Sequence, residues 1–228
     1  MYAVRLGFGD VLLSDEDFRV DRKTLEFIVT DRAWATDYTG ALVLDIGAHK
    51  GYFGAYALGQ GAQSVVSFEP EAANLELLER TAAAFREKGA DWTVRPVAVG
   101  AARTEAELHV MAASWGHSLH PPDSFAEYEV GVQRVAVEPL ADVLAEAAAL
   151  ADRARVVVKV NIEGAECSTV LETPANAWRG VSEVFVETHP WAPCGAAELA
   201  AHLAPGGLTR ARSAHRMVLR LRASPTPA

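Results

Sequence analysis

Asp45, Gly47 and Gly51 stand in "VLDIGAHKGYFG", Val43 to Gly54, where an apolar run meets an acid and then breaks on glycines. Glycines at such a turn let backbone amides approach a ligand closely. A dinucleotide turn needs G-x-G-x-x-G, and a nucleoside triphosphate turn needs G-x-x-x-x-G-K-[ST]. Asp45-Ile46-Gly47-Ala48-His49-Lys50-Gly51 fits neither. A carboxylate at the strand's end also repels phosphate where water screens poorly. The turn suits a ligand that carries positive charge and no phosphate, and S-adenosylmethionine, with an ammonium and a sulfonium, meets that description. Glu69, ending "VVSFEP", supports it, because a carboxylate about 20 residues beyond a glycine turn accepts both hydroxyls of a ribose. Further on, "KVNIEGAE" carries Lys159, Asn161, Glu163 and Glu166, and "VFVETHP" carries Glu187 and His189.

These residues need a scaffold that brings strand ends together. Residues 1–20 read as a short hairpin and "RKTLEFIVTDRAW", Arg22 to Trp34, as a helix. From residue 41 strands alternate with helices: "ALVLDIG", then "GYFGAYALGQG"; "QSVVSFEP", then "EAANLELLERTAAAFREKG". "DWTVRPVAVG" reads as one strand despite Pro96, "AELHVMAA" as a local extension of the sheet, and "SWGHSLHPPDSFAEYEVG" as a long loop. "VQRVAVEPL" is a strand, "PLADVLAEAAALADRA" a helix, "RVVVKVN" a buried strand and "EGAECSTVLE" a helix. "VSEVFVETHP", "GAAELAAHLAP" and a closing strand pair in "LTRARSAHRMVLRLR" complete the series, with "ASPTPA" as a frayed tail. Such alternation predicts a doubly wound, mostly parallel α/β sheet covered on both faces, with an antiparallel strand at one edge. The expected organisation is one domain over 1–228: an extension at 1–40, a core at 41–222 and a tail at 223–228.

The chain has 228 residues, half of them hydrophobic, and a formal charge of -9, which argues against a phosphate-backbone partner. No apolar run approaches the ~20 residues of a membrane span, and the N-terminal residues lack a signal-peptide pattern. The expected compartment is the cytoplasm and the expected partner a small molecule; the residues fix no oligomeric state. Cys167 and Cys194, without CxxC spacing, are expected to be reduced.

Four segments in order, "VLDIGAHKGYFG", "VVSFEPEAANLELL", "KVNIEGAE" and "VFVETHP", resemble the FkbM family of S-adenosylmethionine-dependent methyltransferases over residues 40–192. The first two are shared by many class I methyltransferases; the third is more characteristic. The resemblance implies a seven-stranded Rossmann-like sheet whose last strand is antiparallel, and methylation of hydroxyl groups on sugars or secondary metabolites. It implies that Asp45, Gly47 and Gly51 line the methionine end of the cofactor, that Glu69 holds its ribose and Pro70 shapes the next turn. Val97 and Ala98 then pass the adenine. His49 is a further contact to the cofactor, while Lys50 is expected to point to solvent.

Methyl transfer to an alcohol needs alignment and removal of a proton. The family carries an aspartate where this chain has Asn161, and an amide is no base. Three readings stay open. Another group takes the proton, with His189 ahead of Glu163 and with Glu187 and His117 as further candidates. Alternatively the acceptor is an amine that Asn161 and Glu163 only orient, or a divalent metal on Asn161, Glu163 and Glu187 activates it. No dedicated metal site is expected. Lys159 is expected to pair with Glu187, Glu166 to support the site from behind, and Trp115 to Ser118 to form part of a lid. A protein that binds the cofactor without turnover is the alternative that Asn161 raises.

Overall fold

The computed structural model describes residues 2–6, 8–14, 17–151 and 154–224. Strands β1 (Tyr2–Leu6) and β2 (Gly9–Leu13) form an antiparallel hairpin. Helix α1 (Phe18–Leu25) continues as a π-helical turn, Glu26–Thr30. It starts before the expected Arg22: Asp21 N donates to the Asp17 carbonyl at 2.9 Å, and the Asp21 carboxylate turns inside to the Lys50 ammonium, 2.7 Å away. It stops before Trp34 because Arg32 takes a left-handed conformation, φ 55°.

The alternating series follows: β3 (Leu42–Ile46), α2 (Tyr52–Gly59), β4 (Ser64–Phe68), α3 (Ala72–Arg86) and β5 (Asp91–Arg95). The run expected as one strand from Asp91 to Gly100 is two. Pro96 has no N–H for a ladder, and the chain breaks there. Beyond the break, β6 (Ala98–Gly100) joins β7 (Thr104–Met111) and β8 (Glu129–Pro139) in a separate three-stranded sheet, order β6-β8-β7. "AELHVMAA" therefore does not extend the main sheet. Between β7 and β8 the expected loop holds two short 3-10 helices, Ser114–Gly116 and Asp123–Tyr128.

The chain continues through α4 (Leu140–Leu150), β9 (Val156–Val160), α5 (Glu166–Leu171), β10 (Val181–Glu187), α6 (Ala196–Leu203), β11 (Leu208–Arg210) and β12 (Val218–Ala223). The end of the helix expected to 154 runs into residues 152–153, and most of the expected tail is 225–228; both lie outside the described residues.

The main sheet has seven strands in the order β11-β12-β10-β9-β3-β4-β5. The five from β10 to β5 are mutually parallel; β12 is antiparallel to β10 and lies one place in from the edge, with β11 outside it. Side chains alternate between two cores. Val43, Val157 and Phe185 face the one under α2 and α3, whereas Leu44, Val158 and Val186 face the one under α4 and α6. Strands buried on both faces explain the nearly continuous apolar runs of β3 and β9.

Cys167 and Cys194 are not free thiols: a disulfide joins them, Cα atoms 5.7 Å apart, tying the start of α5 to the loop after β10. They are 27 residues apart in sequence, and only the packing of β9 beside β10 brings them together.

Candidate active site

The carboxyl ends of β3, β4, β9 and β10 open on one cavity of about 640 Å³. Ligands of open α/β sheets bind at such strand ends. Gly47 lines it at φ 75°, so close to the next strand that a Cβ there would lie 1.8 Å from the Asn161 carbonyl oxygen. Only glycine fits. Gly47 and Ala48 donate their N–H groups to the Phe68 carbonyl, 3.1 and 2.9 Å, which pins the turn to the end of β4.

Glu69 lies there, buried and facing the cavity. Its Oε2 accepts from His49 N at 2.7 Å and its Oε1 from Glu71 N at 3.0 Å. Burial pushes its carboxyl up to about 8, against the pull of those two N–H donors. Pro70, Val97 and Ala98 continue the wall past Glu69. His49 adopts φ 52°, rare for a side-chain-bearing residue, and its Nε2 hydrogen-bonds with Ser114 Oγ at 2.8 Å. Burial first, and the nearby Lys50 charge second, hold this ring well below its ordinary value, so it is neutral. Its Nδ1 is enclosed without a protein partner.

Asp45 and Gly51 do not line the cavity. Asp45 lies wholly behind the turn, where Lys159 Nζ is 3.0 Å from Oδ1 and Ser67 Oγ donates to Oδ2 at 3.5 Å. Lys159 therefore pairs with Asp45 and not with Glu187, because β3 and β9 align those two residues. Gly51 caps α2 at φ 85° and packs toward Leu78 and Trp92. Lys50, expected in solvent, is buried between Asp21 at 2.7 Å and Asp17 at 3.2 Å, and so ties α1 to the turn.

On the other side of the cavity stand Asn161, Glu163, Glu187 and His189. Asn161 Oδ1 is buried with no hydrogen-bond donor in the protein. Glu163 sits at φ 51° between Asn161 and Gly164. His189 Nε2 is 3.3 Å from Glu163 Oε2. Its Nδ1 is 3.2 Å from Glu166 Oε1, off the line a hydrogen bond needs, so this is a charge contact. Burial opposes protonation of the ring, but the two carboxylates outweigh it and raise His189 to about 10. At neutral pH it is an imidazolium, which orients and donates but takes up no proton. Glu166 accepts from Ile162 N and Gly164 N, both at 2.9 Å, and so shapes the loop that carries Glu163. Glu187 is buried, and its carboxyl is raised to about 7 by burial and by Glu163.

A strap over the cavity joins its two halves. Ser114 meets His49 and accepts from Asn74 Nδ2 at 3.1 Å, while Ser118 Oγ donates to the Glu163 carbonyl at 2.5 Å. His117 lines the cavity, and burial lowers it against the opposing Glu71 charge. Trp191, unmarked by any motif, packs on His189 with ring centroids 4.6 Å apart and on Phe125 at 5.0 Å. Among the described residues no three His, Cys, Asp or Glu side chains are grouped to hold a metal ion.

Residues 45–204 match the model of the methyltransferase FkbM domain. The fold is similar to that of methyltransferase FkbM from Methylobacillus flagellatus KT, with a TM-score of 0.55 at 16% identity, over 92% of this chain and 56% of that one. The chain thus spans little more than half of that relative's length. Magnesium protoporphyrin IX methyltransferase (ChlM) from Synechocystis PCC 6803, solved with bound SAM, aligns over 96% of this chain and 89% of that one at 13% identity and a TM-score of 0.45. No curated protein sequence matches the chain.

Proposed function

The chain belongs to the FkbM methyltransferase domain family, and from that premise we propose that it transfers the methyl group of S-adenosylmethionine to a hydroxyl of a small acceptor, of the sugar or secondary-metabolite kind. The observation that carries this reading is the unpartnered, buried Asn161 Oδ1 facing the same cavity as Glu69. A buried acceptor without a donor is costly unless a ligand supplies one. The ammonium of this cofactor supplies it, and its ribose hydroxyls have Glu69 to donate to. Gly47 and His49 would flank the methionine end, and Val97 and Ala98 the adenine. When bound, the cofactor supplies an electrophilic methyl group on a positively charged sulfur.

The protein's share is then alignment, exclusion of water and control of the acceptor's proton. Glu163, Glu187 and His189 surround the place where an acceptor meets the cofactor side of the cavity. A cavity of about 640 Å³ suits a small molecule better than nucleic acid, and no described helix is long and apolar enough to cross a membrane. Asn161 keeps a second reading in play, cofactor binding without turnover, and an amine acceptor is its counterpart among active enzymes.

Calorimetric titration with S-adenosylmethionine and S-adenosylhomocysteine tests the cofactor. Saturable one-to-one binding that Glu69→Ala weakens at least ~10-fold is expected. Binding of NADH in their place would overturn the reading. Release of S-adenosylhomocysteine across an acceptor panel then separates enzyme from accessory protein.

A further inference from the structure

We propose that Glu187 is the catalytic base and that the acceptor subsite beside it takes a phenolic hydroxyl compound, whose ring rests on Trp191, Phe125 and Trp115. This rests on the methyl-transfer reading and adds to it the proton's destination and the acceptor's class.

The buried and half-buried acids at the cavity are already engaged, with one exception; Glu26 and Asp31, which also line it, are exposed. Asp45 neutralises Lys159, Glu69 accepts two backbone N–H groups, Glu166 accepts two more, and Glu163 faces the His189 ring. Among the described residues Glu187 is the buried cavity acid whose carboxylate has neither a hydrogen-bond donor nor an ion-pair partner. It ends β10, one step beyond the Val186↔Val160 pair and hence beside Asn161. A buried carboxylate left open toward a cavity is placed to receive a proton from what binds there.

The charges around it set its proton affinity. Lys159 approaches from β9, Glu163 and Glu166 from the loop and helix after β9, and His189 from its own segment; across the sheet β12 offers the uncharged Val218. Burial and Glu163 leave Glu187 near neutrality, about 7. A phenol, with a pKa of ~10, is within reach of such a base. An aliphatic hydroxyl, nearly as weak an acid as water at ~15.7, asks far more of it.

The walls favour the same class. Trp115, beside the Lys23 ammonium, and Trp191 line the cavity and keep 43% and 37% of their surfaces exposed, leaving aromatic surface for a ligand ring to cover. Trp191 already extends a ring stack from His189 to Phe125. In the step itself the phenolic oxygen bonds the methyl carbon as the carbon–sulfur bond breaks, its electron pair staying on sulfur. The phenolic proton passes to Glu187. The products are an aryl methyl ether, a neutral thioether and a protonated carboxyl that returns its proton to solvent.

The full chain saturated with S-adenosylhomocysteine is titrated calorimetrically with phenol, catechol and 4-nitrophenol, then assayed with S-adenosylmethionine. At least one phenol binds saturably and is methylated, with a rate that rises through pH 7 and levels off. Glu187→Gln keeps its affinity for S-adenosylhomocysteine but loses at least ~100-fold in rate, together with the pH step. Trp191→Leu weakens phenol binding about 10-fold and leaves S-adenosylhomocysteine affinity in place. Failure of every phenol to bind, or binding without turnover, overturns the proposal, as does a Glu187→Gln variant with the parent's rate and profile. Failure to bind S-adenosylhomocysteine in the first place instead sinks the methyl-transfer reading beneath it.

Discussion

Lys159 Nζ lies 3.0 Å from Asp45 Oδ1 at the centre of the main sheet, where β3 and β9 set the two residues side by side. The same ammonium donates to the Gly47 carbonyl at 2.6 Å. The acid that ends β3 thus does its work behind the cavity wall: it holds a buried cation, and the cation holds the glycine turn. Asp45→Asn leaves that ammonium without a counter-charge and costs about 3–5 kcal/mol, read by chemical denaturation. Adding Lys159→Met to it removes the orphaned charge and restores much of the loss. Equal stability in the parent and the single variant would show that the pair contributes nothing.

Glu69, Glu187 and His189 all hold their protons more tightly in the folded chain than outside it. Stabilisation from each is complete below the ordinary value and fades as pH climbs through the folded one: from 4.5 to about 8 for Glu69 and from 6.5 to about 10 for His189. The melting temperature of the ligand-free chain should therefore fall between about pH 6.5 and pH 9, above the range in which His49 and His117, lowered in the fold, act in the opposite sense. In the proposed function the cofactor's ribose hydroxyls donate to Glu69 and favour its charged form, so binding at neutral pH should release close to one proton. Calorimetry in two buffers of different ionisation enthalpy measures it, and Glu69→Gln should abolish it.

Gly47→Ala forces a methyl group into the Asn161 carbonyl at a left-handed position, and roughly 4 kcal/mol or more of stability should go with it. Gly180 provides the contrast. It is also left-handed, φ 94°, but has nothing within 4 Å of an added Cβ. Gly180→Ala should cost only about 1–2 kcal/mol. Thermal melts of the two variants separate a steric clash from backbone preference.

Much of this architecture is written locally. Apolar runs such as "ALVLDIG" and "RVVVKVN" mark strands because both their faces are buried, and α3 shows its stripe of Leu77, Leu78, Thr81 and Phe85 plainly. Which side chain meets which is another matter. Lys159 and Asp45 are brought together by strand order, and Lys50 meets Asp21 only once α1 folds over the turn. No local pattern distinguishes those partners from Glu187 or from solvent. Pro96 did signal a break, but where the chain goes next depends on pairing with β8, far downstream. The exposed aromatics and the raised His189 likewise belong to contacts between distant segments.

The Cys167–Cys194 bond closes a 27-residue separation, for which chain entropy gives about 3.5 kcal/mol. Reductant, or Cys167→Ser with Cys194→Ser, should lower the melting temperature and change the emission of Trp191, which the tied loop carries. Thiol trapping in cells would report whether the bond forms where the protein works. Melts indifferent to reductant would show that it contributes no stability.

The segment from Ser114 to Ser118 grips the Glu69 side of the cavity through His49 and Asn74 and the Asn161 side through the Glu163 carbonyl. Two ligands that share one clasp cannot be tuned separately. Under the proposed function, any attempt to re-engineer this stretch for a bulkier acceptor would be felt as weaker retention of the methyl source, tying selectivity and cofactor economy to a single short piece of backbone.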